Sequence, residues 1–305
     1  MHVPQQDSSI HVPVMLAEVL EWLSLRPGEV VVDGTLGGAG HARAMAEAVH
    51  DDGGAGTLIG LDRDPVAIER AETALLGLPV ILAHANFCDL PEVLAEVGIP
   101  RVDGVLLDLG LSSDQLADRE RGFSFDADGP LDLRFDPTAG DPAWKLLERL
   151  SPEHLTELIS RYGEERYSPR IARAIVERRR REPIWKAAEL AALVREVVPK
   201  TPRGGERIDP ATRTFQALRI AVNDELKALD IALRRLPECL NEGGRIAVIS
   251  FHSLEDRRVK TAWRDDARLE VLTRRPIRPS EEEIEKNPRA RSAKLRVARA
   301  AAARI

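Results

Sequence analysis

VVVDGTLGGAGH, residues 30–41, is the most informative stretch of this chain. Its valines read as a short strand buried on both faces. The strand ends in Asp33 and runs into a turn with glycines at 34, 37, 38 and 40; His41 follows as a helical pattern starts. A glycine-crowded turn lets backbone pass close to another group. In many α/β proteins that group is a phosphate seated on a helix N-terminus. Here the spacing is not G-x-G-x-x-G, and Asp33 would face the phosphate charges. A ligand that is positively charged at this end fits better.

The flanking segments extend the same pattern. Residues 14–25 place Leu16, Val19, Leu20 and Leu23 at helical spacing. After the turn, HARAMAEAV (41–49) is helical and GTLIGLDRD (56–64) is a second strand. PVAIERAETALL (65–76) is a helix opened by Pro65, and PVILAHANF (79–87) is a third strand. LPEVLAEVG (90–98) is a helix ended by Gly98, and VDGVLLDLG (102–110) is a fourth strand. Strands apolar on both faces that alternate with helices predict a doubly wound, parallel α/β sheet.

The alternation stops at Ser112 and resumes near residue 209. Between them lie a loop-like stretch (119–142) and the helical patterns PEHLTELISRYG (152–163), SPRIARAIVERRRR (168–181) and KAAELAALVREVV (186–198). The chain therefore divides into sheet segments 1–111 and 209–305 around a helical insertion, 112–208. Phe215, Leu218, Val222, Leu226, Leu229, Leu233 and Leu236 form one apolar face, which predicts a single helix over 211–236. GGRIAVISF (243–251) is a fifth strand, and LEDRRVKTAWRD (254–265) is a helix with Ser253 and Asp256 in capping-box positions. LEVLTRRPI (269–277) and SAKLRVARA (292–300) close the sheet as a strand pair, with a mobile link over 278–288.

Hydrophobic residues make up 43% of the 305, enough for a real core. No apolar run reaches the roughly 18 residues of a membrane span, and no secretory signal is visible. Cys88 and Cys239 fit no metal spacing and suggest a reducing compartment, so a cytoplasmic protein without a metal is expected. The net charge of −6 is unevenly spread: residues 1–135 hold 8 Lys and Arg against 23 Asp and Glu, the remainder 36 against 27. ERRRRE (177–182) and the acid-free stretch 286–305 could bind an anionic polymer or be plain solvated faces.

Ligands of open parallel sheets bind beyond the carboxyl ends of the strands. Those ends carry Asp33, Asp62, Asn86 with Phe87, and Asp108 followed by Gly110, Ser112 and Ser113. S-adenosylmethionine, with an ammonium and a sulfonium at one end and adenosine at the other, suits that order. Asp33 and the glycine turn would face the methionine end. Asp62 would accept from both ribose hydroxyls, Phe87 would pack on adenine, and Asp108 would flank the adenine edge or the methyl donor. Taken singly, each has a structural alternative: tight packing for the glycines, a helix cap for Asp62, core for Phe87, a first helical turn for His41.

These motifs identify a resemblance. DGTLGGAGH (33–41), LDRDPVAI (61–68), LLDLGLSS (106–113), RGFSF (121–125), YGEER (162–166), PATRTFQALRI (210–220), ISFHSLEDR (249–257) and NPRARS (287–292) together resemble the MraW family, the bacterial small-subunit ribosomal RNA methyltransferases H. The resemblance implies a Rossmann-like class I methyltransferase sheet with an inserted helical domain. It implies S-adenosyl-L-methionine as donor, S-adenosyl-L-homocysteine as product, and the N4 amine of a cytidine in the decoding centre of 16S rRNA as acceptor. Cofactor contacts then fall on Ala39, Gly40, His41, Asp62, Phe87, Asp108 and Gln115, beside Asp33 and Gly37 of the glycine turn read above. Ala39 stands where the family commonly has glycine. The partner is ribosomal RNA in an assembled or nearly assembled 30S subunit, with room for a homodimer.

Many amino-group methyltransferases carry an Asn/Asp/Ser-Pro-Pro-aromatic tetrad after the fourth strand. This chain has Asp108-Leu109-Gly110-Leu111 instead. Asp108 or a backbone carbonyl just after it, with Ser112 nearby, is the first candidate acceptor for the amine, and His252 with Ser253 the second. RNA contacts are expected from Arg170, Arg173, Arg178, Arg179, Arg213 and Arg219, with Tyr162 and Phe123 as stacking or core residues. A nicotinamide oxidoreductase, or an assembly factor without activity, are the competing classes. The glycine spacing opposes the first and the complete cofactor loop the second.

Overall fold

The computed structural model describes residues 13–50, 56–125, 128–199 and 209–302. In chain order it contains α1 (Leu16–Leu23), β1 (Val30–Asp33), α2 (Gly40–Val49), β2 (Thr57–Asp62), α3 (Pro65–Ala74), β3 (Val80–His84), α4 (Leu90–Glu96), β4 (Val102–Asp108) and α5 (Ser113–Ala117). Then follow α6 (Ala143–Arg149), α7 (Pro152–Gly163), α8 (Ser168–Arg179), α9 (Ala187–Val197), α10 (Thr212–Asn223) and α11 (Glu225–Arg235). The last elements are β5 (Leu240–Ser250), α12 (Ser253–Arg264), β6 (Leu269–Val271), α13 (Glu281–Lys286) and β7 (Lys294–Ala300). Two compact units result. One is 1–113 with 231–305, the other 114–230, and the division falls within α11.

The first unit is a seven-stranded sheet in the order β3-β2-β1-β4-β5-β7-β6. The first five strands pair in parallel, as the alternation of strands and helices requires. β7 inserts antiparallel between β5 and β6. The valine and leucine runs of β1 and β4 are buried on both faces. The core joins Val19 and Leu23 of α1, Met45 and Val49 of α2, and Leu295 and Val297 of β7. Strand order reverses between β1 and β4, which opens a cleft at their carboxyl ends.

The second unit is helical, and its only strand-like feature among the described residues is an isolated bridge between Pro130 and Lys186. α7 packs on α8 and α10, with Leu155, Ile159, Ile171, Ile175 and Leu218 buried. The loop-like stretch is pinned. Asn223 donates to Leu133 O at 2.7 Å and accepts from Phe135 N–H at 2.7 Å. Arg121, buried, donates to the carbonyls of Arg134 and Phe135.

Three local expectations need correction. The helix over 211–236 is two helices, because Asp224 takes a left-handed conformation (φ 50°) between α10 and α11. The link 278–288, expected to be mobile, holds a short helix tied to the N-terminal part of the chain: Ser280 accepts from Glu283 N–H and starts α13, and Glu283 accepts from Met15 N–H at 2.6 Å. The cap of α12 is His252 with Glu255, one residue before the expected Ser253 and Asp256 pair.

Candidate active site at the ends of β1, β2 and β4

The glycine turn is held from three sides. Gly34 N–H donates to Leu106 O at 2.9 Å, and Leu36 N–H donates to Leu61 O at 3.1 Å. A Cβ on Gly34 would lie 2.6 Å from a Leu107 methyl and 3.0 Å from Phe87 Cβ, so any side chain there would have to displace Leu107. Thr35 Oγ1 accepts from Asp108 N–H at 2.7 Å and ties the turn to the end of β4. Ser112 lies against the turn as well, its Cβ 3.3 Å from where a Gly37 side chain would begin.

Asp33 is fully buried. Its Oδ1 accepts from Thr35 N–H at 3.0 Å, while Oδ2 has no hydrogen-bond partner. An orphaned carboxylate oxygen is costly unless something else satisfies it. Asp62 accepts from Gly37 N–H and Asp64 N–H, both at 2.9 Å. The cap of α3 is Asp64, which accepts from Val66 N–H at 3.1 Å. Asp62 is thereby fixed in the cleft by the glycine turn itself.

Burial lifts all three acids above the usual carboxylate range: Asp33 and Asp62 to about 6, Asp108 to about 7. Asp33 also feels Asp108 and Asp62, and Asp108 also feels Glu255. Acids held near their protonation point in a cleft favour a cation, which restores the charged form.

Ala39 caps α2 in a left-handed conformation (φ 60°), and Gly40 and His41 begin the helix. The approach at Gly40 is again close, with a Cβ there 3.1 Å from the Pro13 ring. His41 is buried, and Nε2 lies 2.9 Å from Val14 O. Phe87, half-buried, opens a one-turn helix capped by Asn86. Asp33, Gly37, Ala39, Gly40, His41, Asp62, Phe87, Asp108 and Ser112 thus all lie in the sheet unit, at or just beyond the carboxyl ends of β1 to β4. Gln115 belongs to the helical unit, where it is buried.

His252 is tied to its own helix. Its Nδ1 accepts from Glu255 N–H at 3.4 Å, and Nε2 lies 3.1 Å from Glu255 Oε1 without hydrogen-bond alignment. Glu255 was not among the residues the sequence singled out. It is nearly fully buried, and Oε2 accepts from Phe251 N–H at 2.8 Å and His252 N–H at 3.2 Å. Glutamate three residues after His252 was the available signal, since a capping box needs that spacing.

The arginines of the helical unit fall into two groups. Arg219 makes a bidentate pair with Glu225 at 2.8 and 2.9 Å, and Arg179 donates to the carbonyls of Leu147 and Leu150. Arg170, Arg173 and Arg213 are exposed, and half-buried Arg178 pairs with Glu182 at 2.8 Å. Phe123 is buried and stacks on Phe135 at 5.8 Å; Tyr162 is half-buried.

Comparison with known proteins bears on this geometry. The MraW methylase family model matches residues 8–301. Ribosomal RNA small subunit methyltransferase H of Syntrophotalea carbinolica is 50% identical over 95% of this chain and 97% of its own. The proteins of the same name from Geobacter sulfurreducens (50%, covering 94% and 98%) and Thermomicrobium roseum (48%, covering 95% and 94%) are similarly close. Among solved structures, an rRNA methylase from Streptococcus thermophilus aligns at 11% identity and a TM-score of 0.43, covering 94% of this chain and 92% of its own.

Proposed function

Because the chain belongs to the MraW methylase family over nearly its whole length, we propose that it methylates the N4 amine of a cytidine in the decoding centre of 16S rRNA, with S-adenosyl-L-methionine as donor. The observation that carries the donor is the orphaned Asp33 carboxylate beside Asp62 and Asp108 in a glycine-lined cleft. Such a set suits a cationic group free of phosphate and disfavours a pyridine dinucleotide.

When bound, the donor supplies an activated methyl group on a sulfonium and leaves as the neutral thioether, S-adenosyl-L-homocysteine. Asp33 would hold its cationic end, Asp62 its ribose hydroxyls and Phe87 its adenine, with backbone contacts from Ala39, Gly40 and His41. The chain's further task is to orient a poorly nucleophilic amine and exclude water. Asp108 suits the acceptor role. It sits at the end of β4, accepts weakly from Gly110 N–H at 3.4 Å, and titrates near neutrality. As a carboxylate it accepts an amine N–H, localises the nitrogen lone pair and takes the proton released by methylation. His252 suits it less, because both ring nitrogens face Glu255. The exposed arginines of α8 would meet rRNA phosphates in the assembled or nearly assembled subunit, in the cytoplasm, and the cytidine would leave its stack.

The test is incubation with small subunits and methyl-labelled donor, followed by location of the label. Label on cytidine N4 of the decoding centre is expected. Label elsewhere, or none, overturns the reading.

A further inference from the structure

Residues 109–122, which follow β4, contain no aromatic residue on which a flipped pyrimidine could stack. The neighbouring strand supplies one. β4 and β5 run in parallel with Asp108 opposite Ile249, and Leu109 N–H donates to Ile249 O at 3.0 Å. Two residues beyond Ile249 comes Phe251. Its ring lies over Gly110, so closely that a Cβ on Gly110 would be 2.7 Å from Cε2 and 2.9 Å from Cζ. The missing side chain at 110 is what admits the ring beside the residue that follows Asp108.

The ring is held in place from its backbone. Phe251 N–H donates to Glu255 Oε2 at 2.8 Å, and the same carboxylate takes His252 N–H. Glu255 is locked as the third helical residue of α12. Phe251 packs on the apolar core but is only partly buried, so part of it stays open. A preorganised, partly exposed aromatic near Asp108, the carboxyl proposed to accept the amine, has the features a base-flipping site needs. The extruded base loses its stacking and regains it on an aromatic face.

We propose that Phe251, positioned by Glu255 and admitted by Gly110, is the wall on which the target pyrimidine stacks. The inference rests on the methyl-transfer reading above. Phe87 does not compete for this role, since it lies against Gly34 at the donor end of the cleft.

The test compares Phe251→Leu, Phe251→Tyr, Gly110→Ala and the Phe251→Leu/Gly110→Ala double variant. Each is assayed for methyl transfer to small subunits and, by calorimetry, for binding of S-adenosyl-L-homocysteine. Phe251→Leu should lower kcat/KM by about ten- to a hundredfold, the range expected for a lost base stack. Its binding of the thioether product should stay within about twofold of wild type, and Phe251→Tyr should recover most of the activity. Gly110→Ala should lower turnover too, with little further loss in the double variant, because both act through one ring. An active Leu variant overturns this inference and leaves the methyl-transfer reading standing. So does a loss that tyrosine does not recover, or one matched by lost product binding. A wild-type protein that transfers no methyl group to the subunit overturns both.

Discussion

His41 lies with Nε2 2.9 Å from the carbonyl of Val14 and with Nδ1 3.7 Å from Asp108 Oδ2. A carbonyl only accepts, so Nε2 must carry the hydrogen. Burial holds the His41 pKa below its usual value, which leaves the ring neutral near pH 7 and Nδ1 bare. The imidazole therefore supplies no cation to Asp108, and that carboxyl keeps its proton up to about pH 7.

Turnover should accordingly rise as pH passes through about 7, where Asp108 becomes a carboxylate able to accept from the amine. Asp108→Asn should flatten that rise and lower kcat by about a hundredfold or more. A pH profile of kcat/KM for the donor, which reports the unliganded enzyme, checks this. A variant with the wild-type profile removes Asp108 from the chemistry.

Stability should respond to pH in the opposite sense. The unfolded chain releases the Asp33 and Asp62 protons near 3.8, the folded protein only near 6. Their contribution to stability is full below about pH 4 and is lost as pH rises through 6. A sulfonium donor prefers the ionised acids, so the rise in Tm that it causes should be larger at pH 8 than at pH 5. Asp33→Asn should raise the Tm of the unliganded protein at pH 8 and weaken donor binding. Thermal melts with and without donor at the two pH values decide it.

The cofactor turn should discriminate between two small substitutions. Gly34→Ala drives a methyl into Leu107 and Phe87 and should cost about 1–3 kcal/mol. Ala39→Gly relieves a left-handed alanine, worth about 1 kcal/mol, but gives up a buried methyl worth a similar amount. Its stability should therefore stay within about 1 kcal/mol of wild type. Denaturant unfolding of the two variants measures the contrast.

Arginines that look alike in sequence should separate by assay. Arg219→Met breaks the bidentate pair with Glu225 and should lower stability without changing the salt dependence of RNA binding. Arg170→Ala and Arg173→Ala should leave the Tm nearly unchanged. Each should reduce the slope of log affinity against log salt by about 0.7–0.9. Filter binding of rRNA fragments at several salt concentrations reads this slope.

The strands and the acids at their ends were legible because each depends on local pattern: a short apolar run, then Asp33, Asp62 or Asp108 where the run stops. The break at Asp224 was not. The apolar face from Phe215 to Leu236 continues across it, and periodicity cannot register one left-handed residue. The stretch around Ser280 reads as a mobile link from its proline and glutamates, yet a serine three residues before Glu283 is itself a local helix-start signal. The roles of Arg179 and Arg219 lie wholly in their three-dimensional partners, which no charge run reveals. Glu255 and Phe251 escaped for a related reason: the value of each depends on strand β4 lying beside β5.

The antiparallel seventh strand also carries a consequence for how the molecule is assembled. Among the described residues, β6 touches the sheet only through β7, which follows it by more than twenty residues. During synthesis Leu269–Val271 must therefore wait, unpaired, until Lys294–Ala300 arrives to bridge it to β5. Acquisition of the native sheet is a late, long-range event of the kind that slows folding. Deleting residues 294–300 should thus leave β6 without a partner strand, expose the edge of β5 and remove Leu295 and Val297 from the core shared with α1 and α2.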